Sequence, residues 1–264
     1  MDFSGKTIWI TGASSGIGEA MAMEWAAYKT VLILSGRNTG KLEELKEKCE
    51  AAGSVCHVVP LDLTITESIN EAAAKVFSLF PAVDILVNNG GISQRSLAVE
   101  TPMEVDRTIF ETNFFGAIAL TKKVLPGMVS RKTGHIVVIS SIVGKFGFPL
   151  RTAYSATKHA LQGYFESLRA EVKEHHVKVT IVSPGRILTR ISINAIDKDG
   201  GRHGVMDQAQ AKGMPAATCA RKIIRAVKRN RKDILIGRSE LIMYYIHKFF
   251  PALYYHLSSK IKPT

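Results

Sequence analysis

Short apolar runs alternate with longer amphipathic stretches along most of this 264-residue chain. Seven runs read as strands: Thr7–Thr11, Val31–Ser35, Val55–Leu61, Ile85–Asn88, His135–Ser140, Lys178–Ser183 and Asp233–Ile236. Between them, apolar positions recur at helical spacing near residues 17–28, 39–52, 66–79, 103–130, 153–175 and 216–229. Runs such as Ile136-Val137-Val138-Ile139 are apolar on both faces, as a parallel strand covered from both sides must be. Regular strand–helix alternation predicts an α/β fold, with a doubly wound parallel sheet of about seven strands and helices on both faces.

The pattern fails between residues 188 and 214, where Asp197, Asp199, Gly200, Gly201, Gly204 and Gly213 fall without a period. The segment follows a strand, so it leaves the sheet at the carboxyl edge, where open α/β sheets bind ligands. It therefore reads as a substrate lid, the alternative being a loop disordered without ligand. No linker, repeat or low-complexity stretch interrupts the rest, so residues 1–264 form one expected domain.

Composition narrows the picture by exclusion. With 46 % hydrophobic and 22 % charged residues the chain is globular. The residues before the first strand are a polar lead-in without a secretory signal pattern. The most apolar tail segment, Leu241 to Leu257, is broken by His247, Lys248 and Pro251 before it reaches spanning length. Cys49, Cys56 and Cys219 suggest neither a disulfide framework nor a zinc site, and the eight histidines lack ligand spacing, so no metal is expected and a cytoplasmic location is. The net charge of +12 is local. Arg221–Arg238 holds eight Lys/Arg against Asp233, and the residues beyond hold three lysines against Glu240, so +9 falls in the last 44 residues. Such a patch suits a solvated helix or an anionic surface, and no nucleic-acid motif accompanies it.

Chemistry enters directly after the first strand. Thr11-Gly12-Ala13-Ser14-Ser15-Gly16-Ile17-Gly18 leads into a helix and puts glycine at three demanding points: a tight turn, a close approach to pyrophosphate, and a helix–strand contact. The free N–H groups of the helix start then face an anion. At the end of the second strand, Ser35-Gly36-Arg37-Asn38 has no acid to bond a ribose 2′-hydroxyl and a guanidinium ready for a 2′-phosphate, with Ser35 and Asn38 as added donors. NADP(H) is thus expected over NAD(H). Tyr154 and Lys158 share one helix face, and Ser141 ends the fifth strand thirteen residues earlier. Tyrosine can protonate a carbonyl oxygen as hydride reaches carbon, provided neighbours such as Lys158 lower its pKa. Serine can stabilise the developing oxyanion.

The Gly-x-x-x-Gly-x-Gly spacing resembles the fingerprint of short-chain dehydrogenases/reductases, and matching motifs follow in that family's order from residue 7 to about 189. The resemblance implies a Rossmann-type sheet and a catalytic tetrad of Asn113, Ser141, Tyr154 and Lys158, in which Asn113 holds a water that links Lys158 to solvent. It implies that Gly12, Ser14, Ser15, Gly16, Ile17 and Gly18 cradle the cofactor, joined by Arg37 and Asn38. Asp62 and Leu63 would meet the adenine, Asn89 and Gly90 stand for the family's Asn-Ala pair, and Pro184, Gly185, Ile187 and Thr189 would line the nicotinamide, beside Tyr154 and Lys158. A homodimer or homotetramer is the family's expectation.

The implied function is hydride transfer between NADP(H) and a carbonyl, or a primary or secondary alcohol, of a small hydrophobic substrate. The other reading is a non-catalytic nucleotide-binding regulator or scaffold. Phe146, Phe148 and Leu150 follow Ser141, and the segment at 216–264 is basic and aromatic-rich. Three readings of that tail stand: it borders the pocket, it makes peripheral contact with an anionic membrane, or it packs over the core or a partner. Lid and tail distantly resemble the subgroup that includes dehydrogenase/reductase member 7 and the 11-beta-hydroxysteroid dehydrogenases.

Overall fold

Every strand-like run joins one sheet. The computed structural model describes residues 2–260; Met1 and residues 261–264, the last of the basic tail, lie outside it. In chain order the elements are β1 (Thr7–Thr11), α1 (Gly16–Ala26), β2 (Val31–Gly36), α2 (Thr39–Ala51), β3 (Val55–Pro60), α3 (Thr66–Leu79), β4 (Ile85–Asn88), α4 (Met103–Phe110), α5 (Gly116–Ser130), β5 (Gly134–Ile139) and α6 (Thr152–Glu171). Then come β6 (Val177–Pro184), β7 (Ile187–Leu188), α7 (Gln208–Ala211), β8 (Met214–Pro215), α8 (Ala216–Lys228), β9 (Asp233–Ile236), α9 (Leu241–Phe249) and α10 (Pro251–Ser258). The main sheet runs β3-β2-β1-β4-β5-β6-β9, parallel throughout.

Alternation along the strands divides the core in two. Ile8, Ile10, Leu32 and Leu34 face α1, α2 and α8, packing with Met21, Trp25, Leu42 and Ile223. Trp9, Ile33, Leu86 and Ile136 face the other way, against Ile69 and Val76 of α3, Leu120 of α5 and Phe165 of α6. Each layer removes large side chains from water at about 1.5–3 kcal/mol apiece, and both face-covering sets are helical, as a fully parallel sheet requires.

Three expectations are refined here. The helix predicted over 103–130 is two helices, because residues Glu111–Phe115 between α4 and α5 form a π-turn. The 188–214 segment is neither patternless nor detached. β7 and β8 pair at its neck, Ile187 with Met214 and Leu188 with Pro215, and Ile196 N–H donates to the Ser93 carbonyl at 2.8 Å while Arg95 N–H donates to the Ile196 carbonyl at 2.8 Å. The tail folds into α9 and α10, whose inner residues Leu241, Met243, Tyr244, Ile246 and Tyr254 join Ile142, Val143, Phe146 and Tyr154 in one apolar cluster. Their outer face leaves Ile242, Phe249, Phe250 and Tyr255 exposed. Among the described residues no helix is long and apolar enough to cross a membrane.

Candidate active site

Strand order reverses between β1 and β4, which opens a crevice at the carboxyl edge of the sheet. A cavity of about 1280 Å³ starts there, passes Ser141, Tyr154 and Lys158, and ends under the 188–214 segment and Met243 of α9. That is above the few hundred to about 1,000 Å³ of ordinary ligand pockets, with room for an extended cofactor and a substrate end to end.

The glycine turn is built for close approach. Gly12 and Gly16 adopt φ of +63°, a left-handed conformation that side chains resist. A Cβ on Gly18 would strike the Gly12 carbonyl and lie 2.6 Å from Asn89 Nδ2. Ser15, at the N-cap of α1, makes no side-chain cap bond, so the helix start keeps its donors facing the cavity. Asn89 does not itself reach into the crevice for an anion. Its Nδ2 donates to the carbonyls of Thr11 and Gly12 at 3.0 and 3.1 Å, and its backbone N–H, with that of Gly90, donates to Thr11 Oγ1. Thr11, which motif reading passed over, is thus the post that ties β4 to the turn. Gly90 is compatible with this packing because Leu63 Cδ1 sits where its Cβ would be, at 2.7 Å. These features fit a dinucleotide. Gly18→Ala is therefore expected to abolish cofactor binding in isothermal calorimetry while far-UV circular dichroism still reports a folded chain.

At the end of β2 the structure reassigns Ser35 and gives Asn38, which lines the cavity, a capping bond as well. Ser35 is fully buried and its Oγ accepts from Trp9 Nε1 at 2.9 Å, so it is no phosphate donor. Asn38 Oδ1 accepts from Lys41 N–H at 3.0 Å and caps α2. Arg37 stays exposed at the cavity rim, and Lys41 joins it there from the first turn of α2. Sequence reading missed Lys41, whose only signal was its place one turn past the cap. Asp62 Oδ1 accepts from both the N–H and the hydroxyl of Thr64, at 2.9 and 2.8 Å, which holds its carboxylate in the cavity lining beside Leu63.

At the chemical end, β5 and α6 bring Ser141, Tyr154 and Lys158 together. Ser141 Oγ lies 3.4 Å from the Pro184 carbonyl and accepts from Val143 N–H at 3.3 Å, on the side of the cavity it shares with Tyr154. Lys158 Nζ stands 5.6 Å from the Tyr154 ring centroid and donates to the Ile139 carbonyl at 2.9 Å. Burial pushes this ammonium down to about 8. Burial also raises the Tyr154 phenol, opposed by Ser141 and by the charges of Arg95 and Arg151. Arg95 and Arg151, which sequence reading overlooked, thus add positive charge that acts on the phenol beside Lys158.

Asn113 lies in the π-turn, fully buried. Its amide accepts from Ile92 N–H at 2.8 Å and donates to the Ile92 carbonyl at 2.9 Å and to Thr157 Oγ1 at 3.1 Å. A π-turn in a helix commonly marks a functional position, and this one lets Asn113 pin the strand-end loop. Gly91 lies between: its missing Cβ leaves 3.0 Å to Asn113 Oδ1 and 3.6 Å to Lys158 Nζ. On the other wall, Gly185 N–H donates to the Ile236 carbonyl at 2.7 Å, and Glu240 Oε1 accepts from Arg186 N–H at 2.9 Å. Ile187 is buried below them, and Thr189 covers Gly16 with its Cγ2 3.1 Å from the glycine's missing Cβ. The two distant motifs, residues 11–18 and 184–189, thus close on one another.

The chain is similar to known proteins along most of its length. The family model described as short chain dehydrogenase matches residues 6–200. The mouse protein named dehydrogenase/reductase SDR family member 7B is 45 % identical over 255 residues, covering 94 % of this chain and 78 % of that one. A Drosophila melanogaster protein named dehydrogenase/reductase SDR family protein 7-like is 42 % identical over 261 residues, covering 97 % and 80 %. Among solved structures, a short-chain dehydrogenase from Streptomyces avermitilis superposes with a TM-score of 0.81 at 30 % identity, over 97 % of this chain and 96 % of its own. Serine dehydrogenase complexed with NADP+ superposes at 0.76 with 26 % identity, over 88 % and 94 %. Glycine turn, strand order and residue-level similarity point one way: the chain belongs to the short-chain dehydrogenase/reductase family.

Proposed function

We propose that this oxidoreductase moves a hydride between NADP(H) and the carbonyl or alcohol carbon of a hydrophobic small molecule. The observation that carries the reading is the meeting of Ser141, Tyr154 and Lys158 in the same cavity as the Gly12–Gly18 turn. The nicotinamide, when bound, supplies or takes the hydride. Tyr154 delivers the proton to the substrate oxygen, and Ser141, in the same cavity, donates to that oxygen as charge develops on it. Lys158, at about 8, keeps an ammonium or gives up a proton close to neutral pH and so serves as the near source of resupply. Asn113, by pinning Ile92 and Thr157, holds the wall beside Lys158 where a water can stand.

Arg37 and Lys41, with no acid at the end of β2, favour the 2′-phosphate form. The 7B and 7-like relatives are named only as dehydrogenase/reductases, and the serine dehydrogenase neighbour carries NADP+. Residues 188–214 act as the substrate lid, and the inner face of α9 and α10 supplies an apolar wall through Met243 and the cluster around Phe146. That wall is why the substrate is read as hydrophobic. The remaining apolar and basic surface of the tail suits peripheral contact with an anionic membrane.

Thermal-shift titration separates the cofactors. A ligand at a hundredfold excess over its dissociation constant adds about 2.7 kcal/mol if it binds only the folded state. NADPH is expected to give that rise and NADH a clearly smaller one. An NADH-selective rise would remove the roles given to Arg37 and Lys41, and no rise with either would leave only a scaffold.

A further inference from the structure

Beside Tyr154 lies a charge cluster that the tetrad does not use. Asp207, just before α7 in the 188–214 segment, is buried and binds two guanidiniums. Arg95 Nη2 is 2.5 Å from Asp207 Oδ2, with Nε at 3.3 and 3.2 Å from the two carboxylate oxygens. Arg151 Nη2 is 3.0 Å from the same Oδ2. The three residues come from three places: the loop after β4, the lid, and the N-cap of α6, three residues before Tyr154. All three line the cavity.

We propose that Arg95 and Arg151 are positioning residues for proton transfer at Tyr154, and that Asp207 makes their placement depend on the seated lid. The inference rests on the reading of Tyr154 as proton donor.

The charge count carries the argument. Arg95 alone, bonded through Nε and Nη2 and held further by Ser93 Oγ at 2.9 Å and the Gln94 carbonyl at 2.6 Å, already neutralises Asp207. Arg151 is surplus to a lid latch. Among the described residues no second carboxylate bonds either guanidinium. Arg151, partly exposed and 4.8 Å from the Phe148 ring centroid, is an extra cation at the cavity wall, and such a charge favours an anion that forms near it. Burial indeed pushes Arg151 down to about 10, and Arg95 pushes it the same way. The group nearby that can become an anion is the Tyr154 phenol, which both guanidiniums act on.

Other groups that face the phenol do not supply this. Lys158 on α6 adds its own charge 5.6 Å from the Tyr154 ring, but it bonds the Ile139 carbonyl rather than the lid. Ser141 at the end of β5 is neutral. From the tail, Tyr254 of α10 shares the apolar cluster, and His247 of α9 packs on Tyr254 and Phe146 with ring centroids 4.7 and 6.1 Å apart. An opened lid would carry Asp207 away and leave Arg95 and Arg151 to repel one another. Closure over substrate would then also be the step that readies the phenol.

The test needs no known substrate. The full chain is made with [13Cζ]tyrosine, and the Tyr154 resonance is assigned by its loss in Tyr154→Phe. Its titration is then followed with saturating NADP+ in wild type, Arg151→Met, Arg151→Lys and Asp207→Asn. The midpoint is expected to rise by about one pH unit in Arg151→Met, the size of one close opposite charge, and to return towards wild type in Arg151→Lys. Asp207→Asn is expected to move it upward too, because the guanidiniums lose their anchor. The proposal is overturned if Arg151→Met titrates with wild type. A downward shift in Asp207→Asn also overturns it, since Asp207 would then be a mere counter-charge, and so does a wild-type phenol that stays protonated to the alkaline limit of the folded state. If Asp207→Asn does not fold, the Arg151 pair decides alone. Turnover by Tyr154→Phe on ketones tests the donor reading separately, so failure of one is visible without the other.

Discussion

Tyr154→Phe is expected to lower kcat/KM for NADPH-dependent reduction of hydrophobic ketones by about 10²–10⁴-fold, the usual contribution of a positioned general acid. The substitution removes only the hydroxyl. The ring fills the same place among Ile142, Val143, Phe146 and Tyr254, so the fold and the tail contact should survive. The cofactor should still bind, because the glycine turn, Asn89 and the Arg37 rim lie elsewhere in the cavity. Steady-state kinetics with a panel of apolar ketones and aldehydes, beside calorimetric binding of NADPH, check both halves. Unchanged turnover would show that another group protonates the product, and the roles of Ser141 and Lys158 would fall with it. Loss of cofactor binding would instead make Tyr154 structural.

What the sequence made legible was what is local or motif-bound. Gly12, Gly16 and Gly18 declare themselves because their backbone geometry admits little else next to a phosphate, and Tyr154 with Lys158 because four residues bring a helix round to one face. A parallel, doubly wound sheet of about seven strands followed from alternation. The unread parts depend on long-range pairing. Arg95 and Asp207 are 112 residues apart in sequence, and neither stands in a pattern that marks an ion pair. Ser35 looked like a phosphate donor because nothing in Ser35-Gly36-Arg37 shows that Trp9 takes its hydroxyl from the neighbouring strand. The π-turn at Asn113 was hidden for a similar reason: its cause is the Ile92 backbone, which an amphipathic pattern does not record. Even the irregular lid has an order that its sequence conceals, since it is pinned by backbone bonds to Ser93 and Arg95 rather than by an apolar period.

Away from the site, stability should fall steeply as pH drops from about 6.5 towards 3, and His135 is the expected cause. It begins the parallel run of β5, is fully buried, and its Nε2 lies 2.8 Å from Thr180 Oγ1. The Thr180 hydroxyl donates onward to the Arg231 carbonyl, so it can accept only from a His135 N–H at Nε2. That leaves Nδ1 unprotonated and without a partner. Burial, with Lys178 adding to it, pushes this histidine down from 6.5 to about 3. The folded state therefore resists a proton that the unfolded chain takes up at ordinary pH. Above about 6.5 both states hold neutral imidazole and nothing is lost. Between the two values the unfolded state binds the extra proton, and folding stability declines with falling pH. At 1.36 kcal/mol per unit, the full loss is on the order of 4 kcal/mol, a large share of a typical 5–15 kcal/mol total. His135→Gln keeps a donor for Thr180 and cannot titrate. Urea unfolding at pH 7.5, 5.5 and 4 is expected to show wild type losing several kcal/mol over that range and the variant losing clearly less, even if the variant starts lower at pH 7.5. Parallel declines would show that a group other than His135 carries the acid sensitivity.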